Sequence, residues 1–242
     1  MKTEQKKSTG YLRQLGLTAL LATGLTSQAQ TTLDHGHTDI GIAYDQDANE
    51  WEMHVHDHAN DIEYFPATDA LLVVKPEAHG FIPSGSQWSF LGTAGSEVWT
   101  LPSVQDPNLL FLGFGAEEID SGIFTGDQFT ISLKGISGPG SLSIYDLDTF
   151  GDPIVWMNTR DGIDGSDSRV APPGLHQDLN FAFSEPGDYT VWFEASGDSV
   201  LNGATSSGDV PYSFHVEAVP EPGTRALAAL GLTALVAFRK RK

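Results

Sequence analysis

Six of the eight histidines fall between residues 35 and 79, and their spacing is that of a strand. His35, His37 and Asp39 are two residues apart, and so are His54, His56 and His58. Side chains on a β-strand alternate between faces with a period of two, so each triplet points to a single face. Neutral imidazole is the commonest protein ligand for zinc, copper and nickel. The chain has no cysteine. Thiolate sites and disulfides are therefore excluded, and any transition-metal site must be built from His and carboxylate.

The elements that would position these residues follow from the apolar side chains between them. Ile40, Ile42 and Tyr44 alternate with His37, Asp39 and Gly41, and Trp51, Met53 and Val55 alternate with Glu52, His54, His56 and His58. The polar stretch Asp45–Glu50 between them is turn-forming, which predicts an antiparallel hairpin. With Tyr44 opposite Trp51, both face the core, His37 lies across from His58, and Asp39 lies across from His56. Opposed Cβ atoms are about 4.5–5.5 Å apart, and imidazoles at that separation can share one ion at about 2.0–2.1 Å. A slip of one residue would turn the imidazoles inward and is disfavoured by the burial pattern. A slip of two keeps the faces and changes only which histidines pair.

His176 is the candidate third contributor, on the face opposite Leu179, Phe181 and Phe183. The sequence leaves open whether it approaches the hairpin. The metal candidates are thus His37, Asp39, His54, His56, His58 and His176, with zinc as the expected ion. Calcium is a second candidate cofactor. Asp45-x-Asp47-x-Asn49 has part of a calcium loop, without its Gly and final Glu, and Asp161, Asp164 and Asp167 share a Gly-rich segment. His79 and His215 are isolated and read as structural.

The two ends of the 242-residue chain differ from the rest. Lys2, Lys6, Lys7 and Arg13 precede an apolar run from Leu15 to Leu25 and the small residues before Ala29, so residues 1–29 read as a signal peptide. At the other end, Pro220-Glu221-Pro222 precedes an apolar stretch from Ala226 to Phe238 and the basic cluster Arg239–Lys242. Thirteen helical residues reach about 20 Å, short of the roughly 30 Å hydrocarbon core. Such a short hydrophobic helix is expected to make only transient membrane contact, with its basic end on the cytoplasmic side.

Between these ends, residues 30–222 carry four basic residues against thirty-one acidic ones, a formal charge of −27. A field of that sign repels nucleic acid and attracts cations. About 190 residues suffice for one domain, placed at 30–218. Short β-rich runs separated by Gly, Pro, Asp and Ser predict an all-β fold, an antiparallel β-sandwich. It would be flanked by the N-terminal signal helix and the short C-terminal hydrophobic helix. Asp188–Ala195 and Val210–Glu217 read as a closing hairpin around a loop at Ser196–Asp209, while Gln87–Leu91 and Asp178–Ser184 read as strands. No Gly-x-Ser-x-Gly or His-Glu-x-x-His occurs, so the chain is not expected to be an enzyme.

The Pro220-Glu221-Pro222 triplet, hydrophobic helix and basic cluster over 219–242 resemble the PEP-CTERM sorting signal of Gram-negative bacteria. The resemblance implies signal peptidase and exosortase as partners, removal of both ends, and delivery to the cell surface or extracellular matrix. A second resemblance covers nearly all of 35–217. His37-x-Asp39, His54-Val55-His56-Asp57, Ala70–Pro76, Val98–Pro102, Gly122–Asp127, Ser137–Gly140, Leu175-His176 and Pro186–Thr190, in that order, resemble the choice-of-anchor M domain of bacterial surface proteins. Some members look like products controlled by a zinc-uptake repressor or sit beside metal-type ABC transporters, which implies extracellular zinc handling. His37, Asp39, His54, His56 and His176 fall at matching motif positions. Members that carry a second His after the one at 176 have Asp178 here instead. The resulting expectation is an exported surface or matrix protein that binds zinc, or a similar divalent metal, through a histidine-rich sheet face. The alternative is a structural or adhesive matrix protein whose acidic surface binds calcium or exopolysaccharide.

Overall fold

The structure, a computed structural model, describes residues 29–220. The signal segment up to residue 28, and the tail from Glu221 onward with Pro222 and both expected terminal helices, lie outside the described residues. In chain order the strands are β1 (Thr31–Leu33), β2 (Gly36–Asp45), β3 (Glu50–Asp57), β4 (Ile62–Tyr64), β5 (Ala70–Val74), β6 (His79–Phe81), β7 (Glu97–Leu101), β8 (Leu110–Gly115) and β9 (Phe129–Ser137). They continue with β10 (Leu142–Leu147), β11 (Pro153–Asn158), β12 (Ser168–Ala171), β13 (His176–Asp178), β14 (Asn180–Phe183), β15 (Gly187–Ser199), β16 (Gly203–Ser206) and β17 (Val210–Val216). The expected all-β class holds. Among the described residues no helix is long and apolar enough to cross a membrane.

Three sheets form. The largest runs β1-β5-β17-β15-β9-β12 with β16 beside β15, the second β11-β10-β14-β7-β6, and the third β13-β8-β2-β3-β4. Rings from facing sheets interlock. Phe114 of β8 meets Phe193 of β15 edge-on at 5.4 Å between centroids, and Phe183 of β14 meets Phe214 of β17 at 5.3 Å. The large sheet thus faces the other two across one core, as a sandwich does. Full burial of each such ring contributes about 2 kcal/mol.

The expectation of an antiparallel sandwich needs correction. β1 and β17 both pair with β5 in parallel, and β2 pairs with β8 in parallel. Parallel neighbours require long crossovers, and the chain supplies one by passing through the other two sheets between β2 and β8. β8 itself was not expected. Its sequence, Leu-Phe-Leu-Gly-Phe-Gly, has no polar alternation because the face opposite Leu110, Leu112 and Phe114 carries only Phe111, Gly113 and Gly115, a pattern usual where both faces are covered.

Three further differences are local. Gln87–Leu91 contains a 3-10 turn at Ser86–Trp88 rather than a strand, and Ser196–Asp209 is largely ordered as the end of β15 and all of β16. The run Asp178–Ser184 is split at Leu179, where the chain leaves the third sheet and enters the second. Leu179 is fully buried, and its N–H donates to the Leu112 carbonyl at 3.1 Å. That anchor sets the position of the two residues before it that matter below, His176 and Asp178.

Candidate metal centre

The histidine-bearing strands form the third sheet, and their apolar alternation fixes the register. Tyr44 pairs with Trp51 and Asp39 with His56, as the spacing predicts. One pair beyond the ladder, the His58 N–H donates to the His37 carbonyl at 3.2 Å. The hairpin turn is closed by Asp45, whose Oδ1 accepts the N–H groups of Asp47 and Ala48, both at 2.9 Å. Asn49 takes a left-handed φ of 57°, and the Tyr44 hydroxyl donates to its Oδ1 at 2.8 Å. Asp167 serves a turn in the same way, accepting from the N–H groups of Asn158 and Asp164.

β8 lies between β2 and β13, yet side chains from those two strands touch. The register explains how: Gly113 is level with Asp39 and Asp178, and Gly115 with Gly41 and His176. A Cβ on Gly113 would fall 2.6 Å from the Gln177 carbonyl oxygen and 2.9 Å from Asp39 Oδ1. On Gly115 it would fall 2.8 Å from Glu117 Oε2 and 3.1 Å from Asp39 Oδ2. The bare strand is the floor of a cradle that residues two strands apart can bridge.

Four side chains meet there. Asp39 Oδ2 stands 2.7 Å from His58 Nε2 and 3.3 Å from His176 Nε2, while His37 Nε2 stands 3.6 Å from Asp39 Oδ1. The Nε2 atoms of His37 and His176 are 3.2 Å apart. The rings stack nearly parallel, at 9° between His37 and His58 and 6° between His37 and His176, and the Nε2 atom of each lies within 3.6 Å of an Asp39 oxygen. Glu117 Oε1, 2.7 Å from His176 Nδ1, would hold the tautomer whose Nε2 is free to face the cluster. Asp178 Oδ1 stands 3.2 Å from His37 Nε2. Burial raises the Asp178 carboxyl above the ordinary carboxylate range, His37 pulls it partly back, and the Asp39 charge adds to the rise.

The residues fit a metal ion on three counts. Asp39 is 1 % exposed, and its Oδ1 has no hydrogen-bond partner among the described residues. An unpaired buried carboxylate oxygen is costly, and a cation beside it would relieve that cost. Second, each of His37, Asp39, His58 and His176 offers an atom within 4.8 Å of the others. Two donors bound at about 2.0–2.1 Å to one tetrahedral ion lie roughly 3.3 Å apart, close to most of the separations above. Third, three imidazoles and one carboxylate suit zinc by ligand type.

Four of the six expected ligands therefore converge, and two do not. His54 is 3 % exposed, lies over Gly41, and groups with Glu52 and Glu63. His56 stacks on His58 at 4.2 Å, but its Nε2 is 3.5 Å from Asp61. His35 pairs with Asp34, His79 with Glu97 and His215 with Asp188, all outside the cluster. Sequence reasoning missed Glu117 and the strand that carries the cradle. The alternating Gly113-Phe114-Gly115 was the signal for it.

Residues 218–242 match the family described as the PEP-CTERM protein-sorting motif. The motif implies an exported, surface-directed protein processed by an exosortase. No curated protein and no solved structure is detectably similar to the chain.

Proposed function

We propose that this protein is a non-enzymatic surface or matrix protein of a Gram-negative host that holds one zinc ion through His37, Asp39, His58 and His176. The observation that carries the reading is the convergence of three Nε2 atoms on Asp39, whose second oxygen is buried without a partner. Four protein donors complete a tetrahedron and leave no position for a reacting water, which favours holding metal over hydrolysis. The formal charge of −27 over 30–222 would concentrate cations near the site. The resemblance to the choice-of-anchor M family supports a role in extracellular zinc handling.

Zinc titration of the purified protein by calorimetry tests the reading. The expected outcome is a tight event that weakens at least 100-fold in Asp39→Asn and in His58→Ala. Equal zinc affinity in the wild type and both variants would end it.

A further inference from the structure

His54 is the most deeply buried of the six expected ligands after Asp39, and it takes no part in the cluster described above. Neither of its ring nitrogens has a hydrogen-bond partner among the described residues. A buried imidazole has at least one N–H to place, so leaving both nitrogens open costs stability. The ring is not in apolar surroundings. Glu52 precedes it by two residues on the same strand face, and Glu63 comes from β4, which pairs with β3. Glu52, His54 and Glu63 each offer an atom within 4.8 Å of the others. Glu118 Oε1 stands 3.5 Å from His54 Nε2, too far and too poorly aligned to bond it.

We propose that Glu52, His54 and Glu63, with Glu118 at the edge, form a second and weaker divalent-cation site. It lies beside the zinc site proposed above and uses different ligand atoms. His56 stands between the two, its ring 6.2 Å from that of His54 and 4.2 Å from that of His58. The donor set names the ion class. Two or three carboxylates with one imidazole suit manganese or zinc, whereas calcium takes oxygen donors and would leave the ring unused. Access exists as well, since Glu52 and Glu118 line an open groove with Asp45, Glu50, Trp51 and Phe65. The adjacency of Glu117 and Glu118 ties the sites together: the first faces His176 and the second faces His54.

The test is the stoichiometry of zinc binding to the purified protein, with manganese followed by loss of its free-ion electron-spin signal. Glu52 and Glu63 are exposed, so the double variant Glu52→Gln/Glu63→Gln should fold normally. The expected result is two ions per chain in the wild type. The double variant should lose at least tenfold in affinity for the weaker ion and keep the tight one, and Asp39→Asn should do the reverse. One ion per chain that is lost in Asp39→Asn and kept in the double variant, or a weaker event unchanged in the double variant, overturns the second site and leaves the first standing. A single event that survives Asp39→Asn and disappears in the double variant supports the second site and sinks the first.

Discussion

Two polar strand faces in this molecule are built on opposite plans. On the large sheet, β9, β12, β15 and β16 present Ser132, Lys134, Ser168, Glu194 and Ser206, and these satisfy one another. Lys134 Nζ sits 2.8 Å from Glu194 Oε2, the Ser206 hydroxyl donates to Glu194, and the Ser168 hydroxyl donates to Ser132 at 2.9 Å. The bonds from Lys134 and Ser206 hold the Glu194 carboxyl below the usual range. On the histidine sheet, one oxygen of Asp39 and both nitrogens of His54 are buried and open. A face that closes its own polar bonds has no use for a ligand. One that leaves them open while glycines clear the floor beside them has polar atoms and room that a cation would satisfy.

The sharpest way to break this contrast is to fill the floor. Gly113→Ala should cost about 3 kcal/mol in denaturant unfolding and abolish tight zinc binding, because its Cβ meets backbone at 2.6 Å. Gly135→Ala on the large sheet, where the nearest atom is Trp192 Cε3 at 3.3 Å, should cost about 1 kcal/mol or less and leave zinc binding intact. Equal costs would erase the distinction. Next in size is the ligand effect itself. Free zinc at a hundred times its Kd should stabilise the protein by about 2.7 kcal/mol in thermal melts. Glu194→Gln should retain that shift and Asp39→Asn should lose it.

A smaller effect probes the closed plan at the start of β15. The buried Tyr189 hydroxyl donates to the Glu185 carbonyl at 2.6 Å, and Tyr189→Phe should cost about 1 kcal/mol. Burial pushes the Tyr189 phenol up to about 12. The folded state therefore keeps its proton where the unfolded chain, with an ordinary value of about 10, has lost it. This contribution is complete below about pH 10 and is lost as pH rises toward 12, so the variant should show a shallower alkaline decline. The smallest expected change is Lys134→Met. Its exposed ion pair is worth about 0.5 kcal/mol or less, and the difference should fade in high salt.

How much of this was legible in the sequence depends on which forces act locally. Ile40, Ile42 and Tyr44 against Trp51, Met53 and Val55 fixed one hairpin and its register, because a slip would expose the apolar set. That alone brought His37, Asp39 and His58 together. The closing pair β15 and β17 was legible for the same reason. His176 was identifiable as a candidate by type and face, but its arrival depends on β13 joining β8, a pairing of residues about sixty apart. β8 escaped notice because its second face carries Phe111 and two glycines in place of polar side chains, and those glycines read as loop formers. His54 shares its spacing with His56 and His58, so no periodicity could separate it from them. Only the absence of a side chain at Gly41, across the ladder, lets its ring lie down and leave the set.

The last strand, β17, is not at a margin. It lies between β5 and β15, and the Glu217 N–H just beyond it donates to the Val74 carbonyl at 2.9 Å. The sorting motif begins at residue 218, so a pull on that end would act almost directly on this strand. Traction along it loads the ladders on both flanks in shear, and their bonds must give way together rather than one after another. Such a pull would grip the large sheet by an interior strand rather than by an edge.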